Sequence, residues 1–190
     1  WNTLKNYVLT PGPVPVPEFV MLEMAKPIIH HRTEEFEEIF HNATEGLKKV
    51  FMTKEEVLIL ASSGTGAMDA SICNTLSKGD KALVVNGGKF GERWLKICSA
   101  YGVETEELKV EWGKAVNSED IKDILDNNPD IKAVLVQASE TSTGVEHPIE
   151  GIAKITKNRD DVLLIVDGIT AVGAFPVEFD NWGIDILIGG

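Results

Sequence analysis

The stretch Val162-Leu163-Leu164-Ile165-Val166-Asp167-Gly168-Ile169-Thr170 carries the clearest signature of the chain's architecture. Five apolar residues stand in a row without polar alternation, as in a strand covered on both faces. An acid, a glycine and a hydroxyl follow at once. Related runs are Val57-Leu58-Ile59-Leu60, Ala82-Leu83-Val84-Val85, Ala133-Val134-Leu135-Val136 and Ile184-Asp185-Ile186-Leu187-Ile188. The segments 67–76, 92–101, 119–127 and 149–157 between them suit covering helices. The rhythm predicts an α/β domain, a mostly parallel sheet with helices on both faces.

Upstream, Pro11, Pro13, Pro15 and Pro17 exclude a helix or a central strand. Residues 1–17 read as an extended arm, and 18–190 as one large domain with no interior linker. Helices are expected from about 18 and over 33–52, where Phe36, Ile39, Phe40, Ala43 and Leu47 fall at helical spacing.

At 190 residues, with 43% hydrophobic and 25% charged residues, the chain has the composition of an ordinary globular protein. A formal net charge of -12 argues against nucleic acid, which selects a basic surface. The acidic groups at 34–38 and 104–107 read as solvated helix faces. No apolar run approaches the roughly 20 residues of a membrane helix, and a secretion-signal pattern is not seen. Cys73 and Cys98 lack metal-ligand spacing and read as buried free thiols, which fits a cytoplasmic, reducing compartment. His30 and His31 would point apart on a helix and make no metal site; Gly-x-Ser-x-Gly is absent.

In an open parallel sheet, ligands bind beyond the carboxyl ends of the strands. Ser63-Gly64-Thr65-Gly66 opens a helix there and offers hydroxyls and free N–H groups to an anion, or serves as a plain helix cap. Phe90, in a glycine-flanked loop, could stack on a planar ring or plug the core. Thr141 lies in a hydroxyl-rich loop suited to a phenolic oxygen or a phosphate. Asp167 is costly to bury unless it meets a cation or several donors. A protonated pyridine nitrogen is one such partner, and the turn at 168–170 is the plainer one.

In order and spacing, Thr10-Pro11-Gly12-Pro13, Ser63-Gly64-Thr65-Gly66-Ala67, Asn86-Gly87-Gly88-Lys89-Phe90-Gly91-Glu92-Arg93, Glu140-Thr141-Ser142-Thr143-Gly144, Val166-Asp167-Gly168 and Gly183-Ile184-Asp185-Ile186-Leu187 resemble class V aminotransferases. The likeness is to the alanine–glyoxylate and serine–pyruvate branch of fold type I. It implies pyridoxal 5'-phosphate as cofactor. Ser63, Gly64 and Thr65 would hold its phosphate, Phe90 would stack on its ring, and Thr141 would sit near the phenolic oxygen. Asp167 would pair with the ring nitrogen, and Pro11 and Gly12 would lie near the substrate. No metal is implied.

The resemblance also implies amino transfer from a small amino acid, alanine or serine, to a 2-oxo acid, glyoxylate or pyruvate, by a homodimer. It places the Schiff-base lysine just beyond Gly190; Lys154 and Lys157 fall on the helix before Asp167. The chain as given is therefore expected to be an inactive N-terminal piece without the small C-terminal domain. Two alternatives stay open. One is a lyase or desulfurase of the same fold, which usually carries His where Phe90 stands. The other is a non-catalytic α/β ligand-binding domain.

Overall fold

The computed structural model describes residues 8–190. Its contacts divide the chain into two compact units that meet between Ala43 and Thr44, not at 17/18. The N-terminal unit holds the proline-rich stretch, where the Thr10 hydroxyl donates to the Pro13 carbonyl at 3.1 Å, and α1 (Glu18–Met24). The long α2 (Glu34–Val50) starts in this unit and runs across the division. The Thr33 hydroxyl accepts the Phe36 N–H at 3.3 Å and caps it. His30 and His31 lie in the non-helical segment before α2, so their rings are free to stack, with centroids 4.7 Å apart, instead of pointing apart as on a helix.

The second unit continues with α3 (Gly64–Thr75), β1 (Lys81–Asn86), α4 (Lys89–Tyr101), β2 (Glu104–Lys109), α5 (Ser118–Asn127) and β3 (Ile131–Gln137). A short hairpin follows, β4 (Ser139–Glu140) against β5 (Val145–Glu146). Then come α6 (Ile149–Thr156), β6 (Leu163–Asp167), α7 (Phe179–Trp182) and β7 (Ile186–Ile188).

The five longer strands form one sheet in the order β2-β1-β3-β6-β7, and every neighbouring pair is parallel. Side chains alternate across it. Leu83, Val85, Val134, Val136, Leu164 and Val166 face one core, where Ile121 and Leu125 of α5 and Ile149 and Ile152 of α6 pack on them. Ala82, Val84, Ala133, Leu135 and Ile165 face the other, against Met68 and Ile72 of α3 and Trp94 and Cys98 of α4. Both faces are covered, which is why these strands read as unbroken apolar runs.

Two strand expectations fail. Residues 57–60 form no strand, and Leu58 is 81% exposed. Apolar composition specifies a tendency to be buried but not a pairing partner, and a strand exists only through its neighbour's hydrogen bonds. Conversely, 104–109 is a strand rather than a helix face. It is the sheet's outer strand beside β1, and charged side chains are the usual protection of such an edge. Cys98 is buried, and burial pushes its thiol up to about 11; Cys73 is exposed, because it falls on the outer side of α3. Among the described residues, no helix is long and apolar enough to cross a membrane.

The sheet order reverses direction at β1, which has β2 on one side and β3 on the other. A crevice at the carboxyl ends of β1 and β3 is the expected ligand position in such a sheet.

Candidate functional site

Three loops leave the carboxyl ends of β1, β3 and β6 and meet near the start of α3. At the end of β6, Asp167 pairs in register with Gln137 of β3 on one side and Ile188 of β7 on the other. Its carboxyl is 5% exposed. One oxygen accepts the Ile169 N–H at 3.0 Å and so caps the turn. One neutral donor does not offset the loss of water. Desolvation, reinforced by the charge of Glu140, pushes the carboxyl up to about 6, while the Ile169 N–H and the charge of Arg93 pull the other way. A carboxyl in this state is improved by a cation within hydrogen-bonding reach.

The Ser63-Gly64-Thr65 segment adjoins the Asp167 turn through a glycine. A Cβ on Gly64 would fall 2.2 Å from Ile169 Cδ1, so any larger residue would have to displace the Ile169 side chain. Ser63 caps α3 through its backbone: its carbonyl accepts the N–H groups of Gly66 at 2.8 Å and Ala67 at 3.3 Å. Its hydroxyl makes no capping bond and is left exposed. The hydroxyl and the first N–H groups of a twelve-residue helix therefore stand at the mouth of the crevice.

Phe90 is not in a loop but in the first turn of α4, because the helix begins at Lys89. The Gly88 position makes the entry tight; a Cβ there would sit 2.4 Å from Ser142 Oγ and 2.5 Å from Glu140 Cδ. Glu140, fully buried, accepts the backbone N–H of Phe90 at 3.2 Å and of Gly91 at 3.1 Å. Its other oxygen accepts from the Ser142 hydroxyl at 2.6 Å, and Ser142 Oγ accepts the Lys89 N–H at 3.0 Å. Thr141, the next residue, shares a 2.8 Å hydroxyl–hydroxyl hydrogen bond with Thr170 of the Asp167 turn.

The sequence alone does not assign Glu140 a role. Its signal was present: an acid three residues past a buried strand, in a run of hydroxyl residues, is as costly to bury as Asp167 unless donors surround it. Arg93 was likewise passed over. Its Nη1 donates to Thr65 Oγ1 at 2.8 Å, and its guanidinium carbon lies 4.8 Å from the centre of the Phe90 ring. Thr65, Phe90, Thr141 and Asp167 are thus linked through Arg93, Glu140 and Thr170. Pro11 and Gly12 belong to the N-terminal unit, where they are exposed. Among the described residues, no three His, Cys, Asp or Glu side chains come together to hold a metal.

The residues present suit a phosphorylated pyridine. A buried carboxyl short of a cation fits a pyridinium nitrogen, an aromatic ring offers a stacking face, and a helix start with a free hydroxyl fits a phosphate.

The family model of class-V aminotransferases matches residues 18–190. The chain is 46% identical over 98% of its length to a protein named soluble hydrogenase, small subunit, of Synechococcus sp. (strain PCC 6716), of which it covers 49%. It is 37% identical over 99% of its length to a serine–glyoxylate aminotransferase of Hyphomicrobium methylovorum, covering 47% of that protein. Among solved structures, a subgroup IV aspartate aminotransferase from Thermus thermophilus superposes with a TM-score of 0.90 at 33% identity, over 97% of this chain and 52% of the other. The chain spans about half the length of the curated relatives it matches.

Proposed function

The chain belongs to the class-V aminotransferases, and from that premise we propose that it is the cofactor-binding part of a pyridoxal-phosphate-dependent transaminase. The amino donor is a small amino acid, serine or alanine, and the acceptor is a 2-oxo acid, glyoxylate or pyruvate. Similarity to a serine–glyoxylate aminotransferase supports the first member of each pair. The protein works as a homodimer in the cytoplasm.

The observation that carries the reading is Asp167, a carboxyl buried at the end of β6 with the Ile169 N–H as its hydrogen-bond donor, which burial pushes up to about 6. A protonated pyridine restores the carboxylate's charge balance, and the carboxylate in turn keeps the proton on the ring nitrogen. When bound, the cofactor supplies an electron sink for negative charge developing at the amino acid's Cα. Ser63, Gly64 and Thr65 bind the phosphate and fix the cofactor's distance from Asp167, since Gly64 packs against Ile169. Phe90 covers the ring and excludes water from that side. The Thr141 hydroxyl, held by Thr170, orients toward the phenolic oxygen.

The test uses the full-length protein. Added pyridoxal phosphate should give a visible absorbance band that borohydride removes, and a panel of donors against glyoxylate and pyruvate should show turnover. A full-length protein that gives no such band overturns the cofactor assignment.

A further inference from the structure

A phosphate monoester carries close to two negative charges at neutral pH. Ser63, Gly64 and Thr65 answer it with neutral donors only, and a helix start contributes the equivalent of about half a positive charge. Arg93 stands beside that helix start. It follows Phe90 by three residues on α4, so both side chains leave the same face of the helix. Thr65 Oγ1 is its one hydrogen-bond partner among the described residues, and its guanidinium also lies over the face of Phe90. No carboxylate among the described residues pairs with it, although the group is half-buried. An arginine has five N–H donors, and one is used here. A partly desolvated guanidinium with four unused donors, tied to the hydroxyl of an anion site, is an incomplete anion clamp.

We infer that Arg93 is a phosphate-binding residue: its guanidinium, steered by Thr65 and supported by the Phe90 ring, pairs with the phosphate of the cofactor. The inference rests on the cofactor reading above and adds the charge which that reading lacked. The Arg93 charge also acts on Asp167, lowering its pKa. Arg93 thus links the phosphate end of the site to the ring-nitrogen end.

The experiment compares wild type, R93M and R93K in the full-length protein, with pyridoxal 5'-phosphate and with pyridoxal, which lacks the phosphate. R93M is expected to weaken binding of the phosphorylated form by roughly ten- to a hundredfold, and of pyridoxal by less than about twofold. R93K keeps the charge without the fork and should recover part of the loss. An equal loss for both forms, which misplacement of Phe90 or misfolding would give, overturns the inference. So does an unchanged or tighter affinity for the phosphorylated form, which would make Arg93 a packing group beside Thr65 and Phe90. Thermal stabilisation by inorganic phosphate provides a readout independent of the ring. If wild type binds neither pyridoxal form but gains stability from phosphate and R93M does not, the cofactor reading fails and the Arg93 site stands. If phosphate stabilises both alike or neither, Arg93 is not an anion ligand.

Discussion

The carboxylate of Glu140 accepts the backbone N–H of Gly91 at 3.1 Å, across 49 residues of sequence. One oxygen of a fully buried side chain serves as the cap of α4, and the other gathers the Ser142 hydroxyl and N–H. The placement of Phe90 is therefore set by a residue on another strand end.

Truncation of Glu140 removes the carboxylate acceptor of the half-buried Phe90 N–H and of the buried Gly91 N–H. E140A is expected to lose about 2–4 kcal/mol of stability, and E140Q about half of that, since the amide keeps one acceptor oxygen. Urea denaturation of the full-length protein measures both. A loss below about 0.5 kcal/mol for E140A would show that water replaces the carboxylate there.

Asp167 gives a pH-dependent prediction. Its folded-state pKa of about 6 lies above the ordinary 3.8, so the folded state resists ionising it. The resulting cost is absent below about pH 4 and complete above about pH 6, where it amounts to about 1–3 kcal/mol. D167N should therefore stabilise the cofactor-free protein at pH 8 and leave it unchanged at pH 4, while weakening cofactor binding. Equal stability of D167N and wild type at pH 8 would contradict the raised pKa.

Gly64 and Ile169 should behave as a coupled pair. G64A places a methyl 2.2 Å from Ile169 Cδ1, and the overlap should cost about 1–3 kcal/mol and loosen phosphate binding. I169A removes the obstructing atoms, so the double variant G64A/I169A should recover most of the loss attributable to Gly64. Additive losses in the double-mutant cycle would mean that the contact is not what fixes α3 against the Asp167 turn.

The two thiols should differ in reactivity. Cys73 is exposed, whereas burial holds the Cys98 thiol at about 11, so Cys98 is protonated at neutral pH. Iodoacetamide at pH 8 should label Cys73 and spare Cys98 until denaturant is added, as read by peptide mass spectrometry. Rapid labelling of Cys98 in the folded protein would place it outside the core.

Much of this was legible in the chain. The runs at 82–85, 133–136 and 162–166 became central strands because both of their faces are covered, and continuous apolarity is the direct record of that. The acid at 167 was conspicuous because a carboxylate at a buried strand end requires a reason. By contrast, β2 was hidden, since an edge strand protected by charge resembles a polar helix face. Residues 57–60 misled for the opposite reason, being apolar without a strand alongside.

The layered α/β architecture, the glycines of the turns and the residue types delivered to the carboxyl edge of the sheet are all written locally in the chain. Periodicity and turn chemistry are local properties, readable within about ten residues. That Glu140 rather than a neighbour in sequence caps the helix of Phe90, and that Gly64 lies against Ile169, follows from the folded arrangement alone. Only there does Arg93 reach Thr65. Such relationships join residues from separate crossovers of the sheet, and their energies depend on burial and on distances that exist only once the strands are in register.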